Sequence, residues 1–239
     1  MFTIDVVTLF PEIFAPQIGL SIVGRAQQRG IARIALHSLL DILGPRERAD
    51  DRPFGGGPGM VLRVEPIAQV LDEIVAAAPE AERRLIVVTS AAGKPFAQAD
   101  AERYAALDRL VIVCGRYEGI DERLVPLYAA EEVSLGDFVV TGGEIPAMAI
   151  IDATVRLLAG AVSPESLEHE SFVNQELDAP AYTRPAAFRG LEVPEVLLSG
   201  DHERIAQWRR RQSQERTAAR RPDLGDGGRD LDSDEGRSA

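Results

Sequence analysis

Three glycine-rich turns are the part of this sequence best equipped to hold a ligand: FGGGPGM at 54–60, CGRYEG at 114–119, and SLGD at 134–137 running on to TGGE at 141–144. Glycine reaches positive φ and lets a ligand approach bare backbone, so such loops can grip it with main-chain donors and acceptors. Singly, each turn reads as a tight connection; three in one region point toward a pocket. At Gly142 a β-branched side chain is expected to fill space left for a ligand and to resist glycine-like dihedrals. No G-x-G-x-x-G, G-x-x-x-x-G-K-[ST], H-E-x-x-H or nucleophile elbow occurs, which removes the usual marks of dinucleotide, phosphate-loop, zinc-protease and hydrolase chemistry. Cys114 is the single cysteine, and His37, His169 and His202 are scattered without ligand spacing, so no metal site is expected. His169 and His202 receive no role.

Charged residues with chemical potential are few. Asp152 and Arg156 stand four apart, a spacing that by itself reads as an ion pair on one helical face. Glu170, in a polar stretch, reads as a solvated charge, and Asp178 as a turn residue before Pro180. Basic residues gather late, with Arg209, Arg210 and Arg211 in a segment, 201–222, that holds seven Arg against three acids. Residues 223–239 reverse the sign, with six acids against two Arg, so residues 1–200 carry the whole net charge of -12. An acidic body beside one basic segment fits nucleic-acid binding confined to that segment, and equally a helix with a solvated basic face.

The elements that must position these residues alternate. Apolar runs at 2–9, 33–39, 85–89 and 110–114 read as buried strands. Between them lie helical patterns at 65–78, with Ile67, Val70, Leu71, Ile74 and Val75 on one stripe, and at 97–107. This predicts an α/β fold with a mostly parallel sheet and helices on both faces. An almost wholly apolar helix is expected at 145–158. Apolar periodicity then lapses, so a first domain at 1–161, a flexible linker at 162–179 and a small helical domain at 180–222 are expected, with a disordered acidic tail at 223–239. In the helical domain a short apolar segment at 193–198 precedes a helix opened by a Ser199-Gly200-Asp201 cap signal, with Ile205 and Trp208 on its inner side. The N-terminal run lacks a basic lead and is broken by Asp5, so neither a signal peptide nor a membrane anchor is expected, and the protein is read as cytoplasmic.

In order along the chain, GGGPGM, CGRYEGIDER, SLGDFVVTGGEIPAM, LDAPAYTRP and VLLSGDHERIAQWRRRQS resemble the bacterial tRNA (guanine-N1)-methyltransferases of the knotted SPOUT superfamily, from about residue 1 to about 224. The resemblance implies a deep trefoil knot in the sheet, an exception to the rule that chains do not thread. It implies S-adenosylmethionine as methyl donor, held by Ser90, Gly115, Tyr117, Glu118, Leu135, Gly136, Val140, Gly142 and Gly143. It implies a homodimer whose active sites draw on both subunits, a C-terminal domain that holds tRNA, and contacts to tRNA from Arg116 and from Arg209, Arg210 and Arg211. Mg2+ comes with the resemblance as an auxiliary cation.

Guanine N1 is a poor nucleophile until its proton leaves, so methylation there calls for a carboxylate base at N1 and a cation at O6. In the family an Asp of a D-S-F motif is the proposed base and an Arg of the preceding helix the partner of O6. Here those positions are Glu170, in Glu170-Ser171-Phe172, and Arg156, with Asp178 also near the target guanine. A second departure is Ser90-Ala91-Ala92-Gly93, where the family usually has Ser-Pro-Gln-Gly. The expected activity is methyl transfer to N1 of the guanine immediately 3′ of the anticodon. The rivals are a knotted-superfamily enzyme acting on ribose or ribosomal RNA, and a catalytically inactive RNA-binding homologue.

Overall fold

The computed structural model describes residues 1–168 and 170–225. The chain divides into two compact units, Met1–Val162 and Ser163–Ala239.

In the first unit, β1 (Phe2–Thr8) leads through α1 (Ala15–Ile18) and α2 (Ser21–Gln28) to β2 (Ala32–Ser38). Two short antiparallel strands, β3 (Asp50–Asp51) and β4 (Val61–Leu62), bracket the first glycine-rich loop. There follow α3 (Val64–Ala77), β5 (Arg84–Pro95), α4 (Gln98–Ala105), β6 (Arg109–Cys114), α5 (Leu124–Tyr128), β7 (Glu131–Ser134) and α6 (Glu144–Val155). The five longer strands make one parallel sheet in the order β2-β1-β6-β5-β7.

Strand alternation decides the layers. Ile4 and Val6 of β1, Leu110 and Ile112 of β6 and Val87 of β5 face Val23 of α2, Tyr104 of α4 and Ile150 and Ile151 of α6. Val7, Val111, Val113, Ile86 and Val88 point the other way, onto Ile67, Val70, Leu71 and Ile74 of α3 and Leu124 of α5. Burial on both faces is why these strands read as continuous apolar runs.

The sequence expectation misses two features here. The strand expected at 85–89 continues to Pro95, because small residues at 90–93 let it turn across its neighbour: Thr89 and Lys94 both stand opposite Val133. A Cβ on Gly93 would lie 2.4 Å from the Val133 amide nitrogen, so only glycine permits that approach. β7 was not foreseen, since Glu131 and Glu132 leave it no apolar run. The long apolar helix ends at Val155, where Arg156 caps it and donates its backbone N–H to the Asp152 carbonyl at 3.2 Å.

The second unit opens with α7 (Pro164–Leu167), followed by a single helical turn at Val173–Gln175. A hairpin of β8 (Ala187–Phe188) and β9 (Leu191–Glu192) turns at Arg189 and Gly190, both at positive φ as such tight hairpins require. Then come α8 (Glu195–Leu198), α9 (His202–Arg220) and α10 (Pro222–Gly225). Asp201 caps α9 by accepting from the Arg204 amide at 3.1 Å, and the Trp208 and Tyr182 rings lie 6.3 Å apart.

The stretch 162–179 is more than bare connecting chain. Its lack of apolar periodicity hid polar anchoring: the Leu177 N–H donates to Thr217 Oγ1 at 2.8 Å, and Ser213 Oγ donates to the Leu177 carbonyl at 2.6 Å. The tail expected to be disordered from residue 223 begins inside α10, where Arg221 pairs with Asp223 at 2.6 Å. The rest of that tail, 226–239, and His169 lie outside the described residues.

One charged cluster stitches the sheet. Asp5, 4% exposed, accepts from His37 Nε2 at 2.7 Å and from Arg109, which also donates to Glu82 at 2.8 Å. Burial alone would raise the Asp5 carboxyl, but hydrogen bonds from His37 and Arg109 hold it below the usual range. Asp5→Ala is expected to lower unfolding free energy by about 2–3 kcal/mol at neutral pH, since the Arg109 guanidinium and the His37 ring lose their common acceptor. A carboxyl held low stabilises above its unfolded-state pKa and loses that effect as pH falls through its native value. The gap between parent and variant in urea melts should therefore shrink at acid pH; a pH-independent gap would contradict this account.

Candidate active site

The carboxyl ends of β5, β6 and β7 open onto a cavity of about 440 Å3, the place where open parallel sheets hold ligands. β5 contributes Ser90, Ala91 and Ala92; the turn after β6 contributes Gly115, Arg116, Tyr117 and Glu118; the loop from β7 to α6 contributes Leu135, Val140, Gly142 and Gly143. Eight of the nine residues expected to hold the methyl donor thus line one cavity, and Gly136 does not. Gly136 instead makes the turn beside Leu135, at φ 146°, with its N–H and carbonyl each 3.1 Å from Ser134 Oγ.

The turns are locked by backbone approach. Thr89 Oγ1 accepts from the Gly115 N–H at 3.2 Å and donates to the Val113 carbonyl at 3.2 Å, while the Gly143 N–H donates to the Gly115 carbonyl at 2.8 Å. A Cβ on Gly143 would stand 1.9 Å from Thr89 Oγ1 and 2.7 Å from the Gly115 nitrogen. No side chain fits there.

Gly142 needs to be glycine for a reason other than the expected one. Its φ is not positive, and a Cβ would meet Arg116 Nε at 2.2 Å, so the space it leaves is filled by Arg116.

Arg116 in turn is held within the molecule. Its Nε donates to Glu144 Oε1 at 3.0 Å, its Nη1 to the Thr141 carbonyl at 3.1 Å, and its guanidinium lies 4.7 Å from the centre of the Phe10 ring. Nη2 is 2.9 Å from Glu144 Oε2, and the Arg116 side chain is 17% exposed. The expectation that Arg116 reaches for tRNA therefore meets a guanidinium already committed to a buried carboxylate. Glu144 also accepts from Thr8 Oγ1 at 2.8 Å. Cys114, fully buried, has its thiol pushed up by burial and by the Glu144 charge, which leaves it unsuited to act as a nucleophile.

The other expected site residues fall in both units. Arg156 caps α6 in the first. Glu170 and Asp178 belong to the second, where they line a cavity of about 930 Å3 together with Tyr182, Arg184, Arg209 and Arg210. Ser171 Oγ accepts from the Asp178 N–H at 3.0 Å, which ties the backbone at 178 to the residue after Glu170. Arg211 does not line this cavity; it is exposed and lies 3.4 Å from Glu215. Among the described residues no group of three or more His, Cys, Asp or Glu is placed to hold a metal ion, and no helix is long and apolar enough to cross a membrane.

Residues 2–226 match the family model described as tRNA (Guanine-1)-methyltransferase TrmD. The chain belongs to that family. A tRNA (guanine-N(1)-)-methyltransferase of Synechococcus sp. (strain WH7803) is 53% identical over 226 residues, 93% of this chain and 91% of the relative. Similar proteins of the same name occur in Frankia alni (strain DSM 45986 / CECT 9034 / ACN14a), 50% identical over 92% of this chain and 83% of the relative, and in Streptococcus pyogenes serotype M4 (strain MGAS10750), 48% identical over 92% and 90%.

Sequence reasoning missed Thr8, Thr89 and Glu144. Only Glu144 left a signal: a charge at the head of a mostly apolar helix needs a partner when buried. The geometry predicts that Gly143→Ala, by overpacking, destabilises the protein by about 1–3 kcal/mol in denaturant melts. Adding Thr89→Ala should recover only part of the loss, because the Gly115 amide remains 2.7 Å from the new Cβ. Full recovery would place the crowding on the threonine alone.

Proposed function

We propose that this protein transfers a methyl group from S-adenosylmethionine to N1 of the guanine immediately 3′ of the anticodon in tRNA. The first unit serves as the donor-binding domain and the second, through α9, as the tRNA-binding domain. What supports the reading is that eight residues assigned to the donor by family resemblance line one cavity at the strand ends. Its size is within the range of small-molecule sites, and its bare glycine backbone offers the main-chain contacts an adenosine needs.

The donor supplies an activated methyl group. This chain's residues then have two tasks. Glu170 accepts the N1 proton as the N1–CH3 bond forms and the donor's S–CH3 bond breaks to leave the neutral thioether, and Arg156 offsets the negative charge that develops on O6, a geometry guanidinium suits well. Glu170 is one methylene longer than the family's Asp; a base need only come within about 2.6–3.2 Å of the proton it removes in the bound complex. Asp178 sits near the same base. A divalent cation is assigned no residue. In this reading the enzyme works in the cytoplasm as a homodimer, its sheet knotted, each active site drawing on both subunits.

Incubation with labelled S-adenosylmethionine and tRNA, followed by mapping of the product, tests the proposal. N1-methylguanine beside the anticodon is expected; a methylated ribose or ribosomal RNA base, or RNA binding without transfer, would replace it with one of the rivals.

Glu170→Gln should lower methyl transfer by on the order of 100-fold while both substrates still bind, and Glu170→Asp should keep substantial activity. If Glu170→Gln matches the parent and Asp178→Asn is inactive with binding retained, the base is Asp178.

Replacing Arg209, Arg210 and Arg211 together by Gln should weaken tRNA binding and reduce its salt slope by up to about 0.7–0.9 per lost phosphate contact. Donor affinity should not move. An unaltered salt dependence in filter binding would mean that this face of α9 meets only solvent.

A further inference from the structure

We propose that Glu144 is a positioning residue for donor binding, acting through Arg116 to fix the wall of the cavity at 141–143; this rests on the reading of that cavity as the donor site. The network joins three parts of the chain that are far apart in sequence. Thr8, at the end of β1, donates to Glu144 Oε1 at 2.8 Å and accepts the Phe10 N–H at 3.1 Å. Arg116, after β6, donates to the same oxygen at 3.0 Å and to the Thr141 carbonyl at 3.1 Å. Its guanidinium crosses the face of Gly142, where even a Cβ would come within 2.2 Å, and the two residues also pair through their backbones.

Burial makes this arrangement selective. Glu144 is 1% exposed and Thr8 is fully buried. A carboxylate taken from water demands a cation, and its position in the first turn of α6 adds the favourable field of a helix N-terminus. The cation comes from the loop that lines the cavity, so the demand is met only when that loop lies against 141–143. Glu144 thereby converts the burial of its own charge into a fixed separation between the Gly115–Glu118 turn and the Gly142–Gly143 turn. It touches neither substrate in this account.

The test uses the full-length protein, with donor affinity measured by calorimetry using S-adenosylmethionine alone and tRNA affinity by filter binding. Glu144→Gln keeps the shape of the side chain but not its charge. It should weaken donor binding by about tenfold, the scale of one charge-assisted hydrogen bond, and raise the donor KM while changing kcat far less. Arg116→Lys, which keeps the charge but cannot span Thr141 and Glu144 at once, should do the same with tRNA affinity unchanged. Thr8→Val should give a smaller loss that Thr8→Ser restores.

If Arg116→Lys instead weakens tRNA binding with donor affinity intact, Arg116 is an RNA contact and the proposal fails. A lower melting temperature with parental donor affinity well below it would make Glu144 merely structural, which also overturns the proposal. A parent protein that binds no S-adenosylmethionine would bring down the functional reading itself, an outcome distinct from either.

Discussion

The backbone of Gly143 lies so close to β5 and β6 that a Cβ there would be 1.9 Å from Thr89 Oγ1 and 3.0 Å from the Cys114 Cα. The rest of the cavity follows from that approach. It lets the Gly143 N–H reach the Gly115 carbonyl at 2.8 Å, which aligns the start of α6 with the end of β6. It also brings Gly142 under Arg116, and Arg116 to Glu144. A main-chain contact of this kind has few alternative geometries, because the atoms involved carry no rotatable side chain. The walls are therefore preorganised, and a ligand entering them need not bear the ordering of loops.

Such precision requires a rigid support, which the sheet provides. β1, β6 and β5 bury side chains on both faces and are covered by α2, α4 and α6 on one side and α3 and α5 on the other. Their carboxyl ends cannot shift independently without opening a close-packed core. Polar atoms at those ends are satisfied locally: Thr89 Oγ1 bridges Gly115 and Val113, and Thr8 Oγ1 bridges Phe10 and Glu144. Each hydroxyl thereby pairs a backbone N–H at its strand end.

This balance explains what the sequence could and could not reveal. β1 and β6 announce themselves because burial runs almost continuously along them, and α3 because its buried residues recur at helical spacing. β7 does not, since it enters the sheet with two glutamates, and the extension of β5 hides among small residues. The three glycine turns are legible as turns, but not the reason for each glycine: Gly142 accommodates an arginine, and Gly136 shapes the turn that presents Leu135 to the cavity without lining it itself. Thr8 and Glu144 are 136 residues apart, and nothing periodic connects them. The Asp178 N–H is tied to the hydroxyl of Ser171, a link that polar composition alone reads as loop.

The two units hold their chemistry by different means. In the first, the cavity sits on a core of large apolar side chains. In the second, α9 buries only Thr217 among its residues, and the segment leading to Asp178 is fastened to it by Ser213 and Thr217 through hydrogen bonds of 2.6 to 2.9 Å. Each such bond contributes only about 1 kcal/mol net, so a segment held this way opens more readily than one packed in a core. A donor site gains from stiffness, because the methyl group must be presented in one direction. In the function proposed, a carboxylate that meets a base delivered on a large RNA gains from some freedom to adjust. The longer reach of Glu170 fits a segment of that second kind, where an extra methylene can be absorbed by the chain rather than by the cavity.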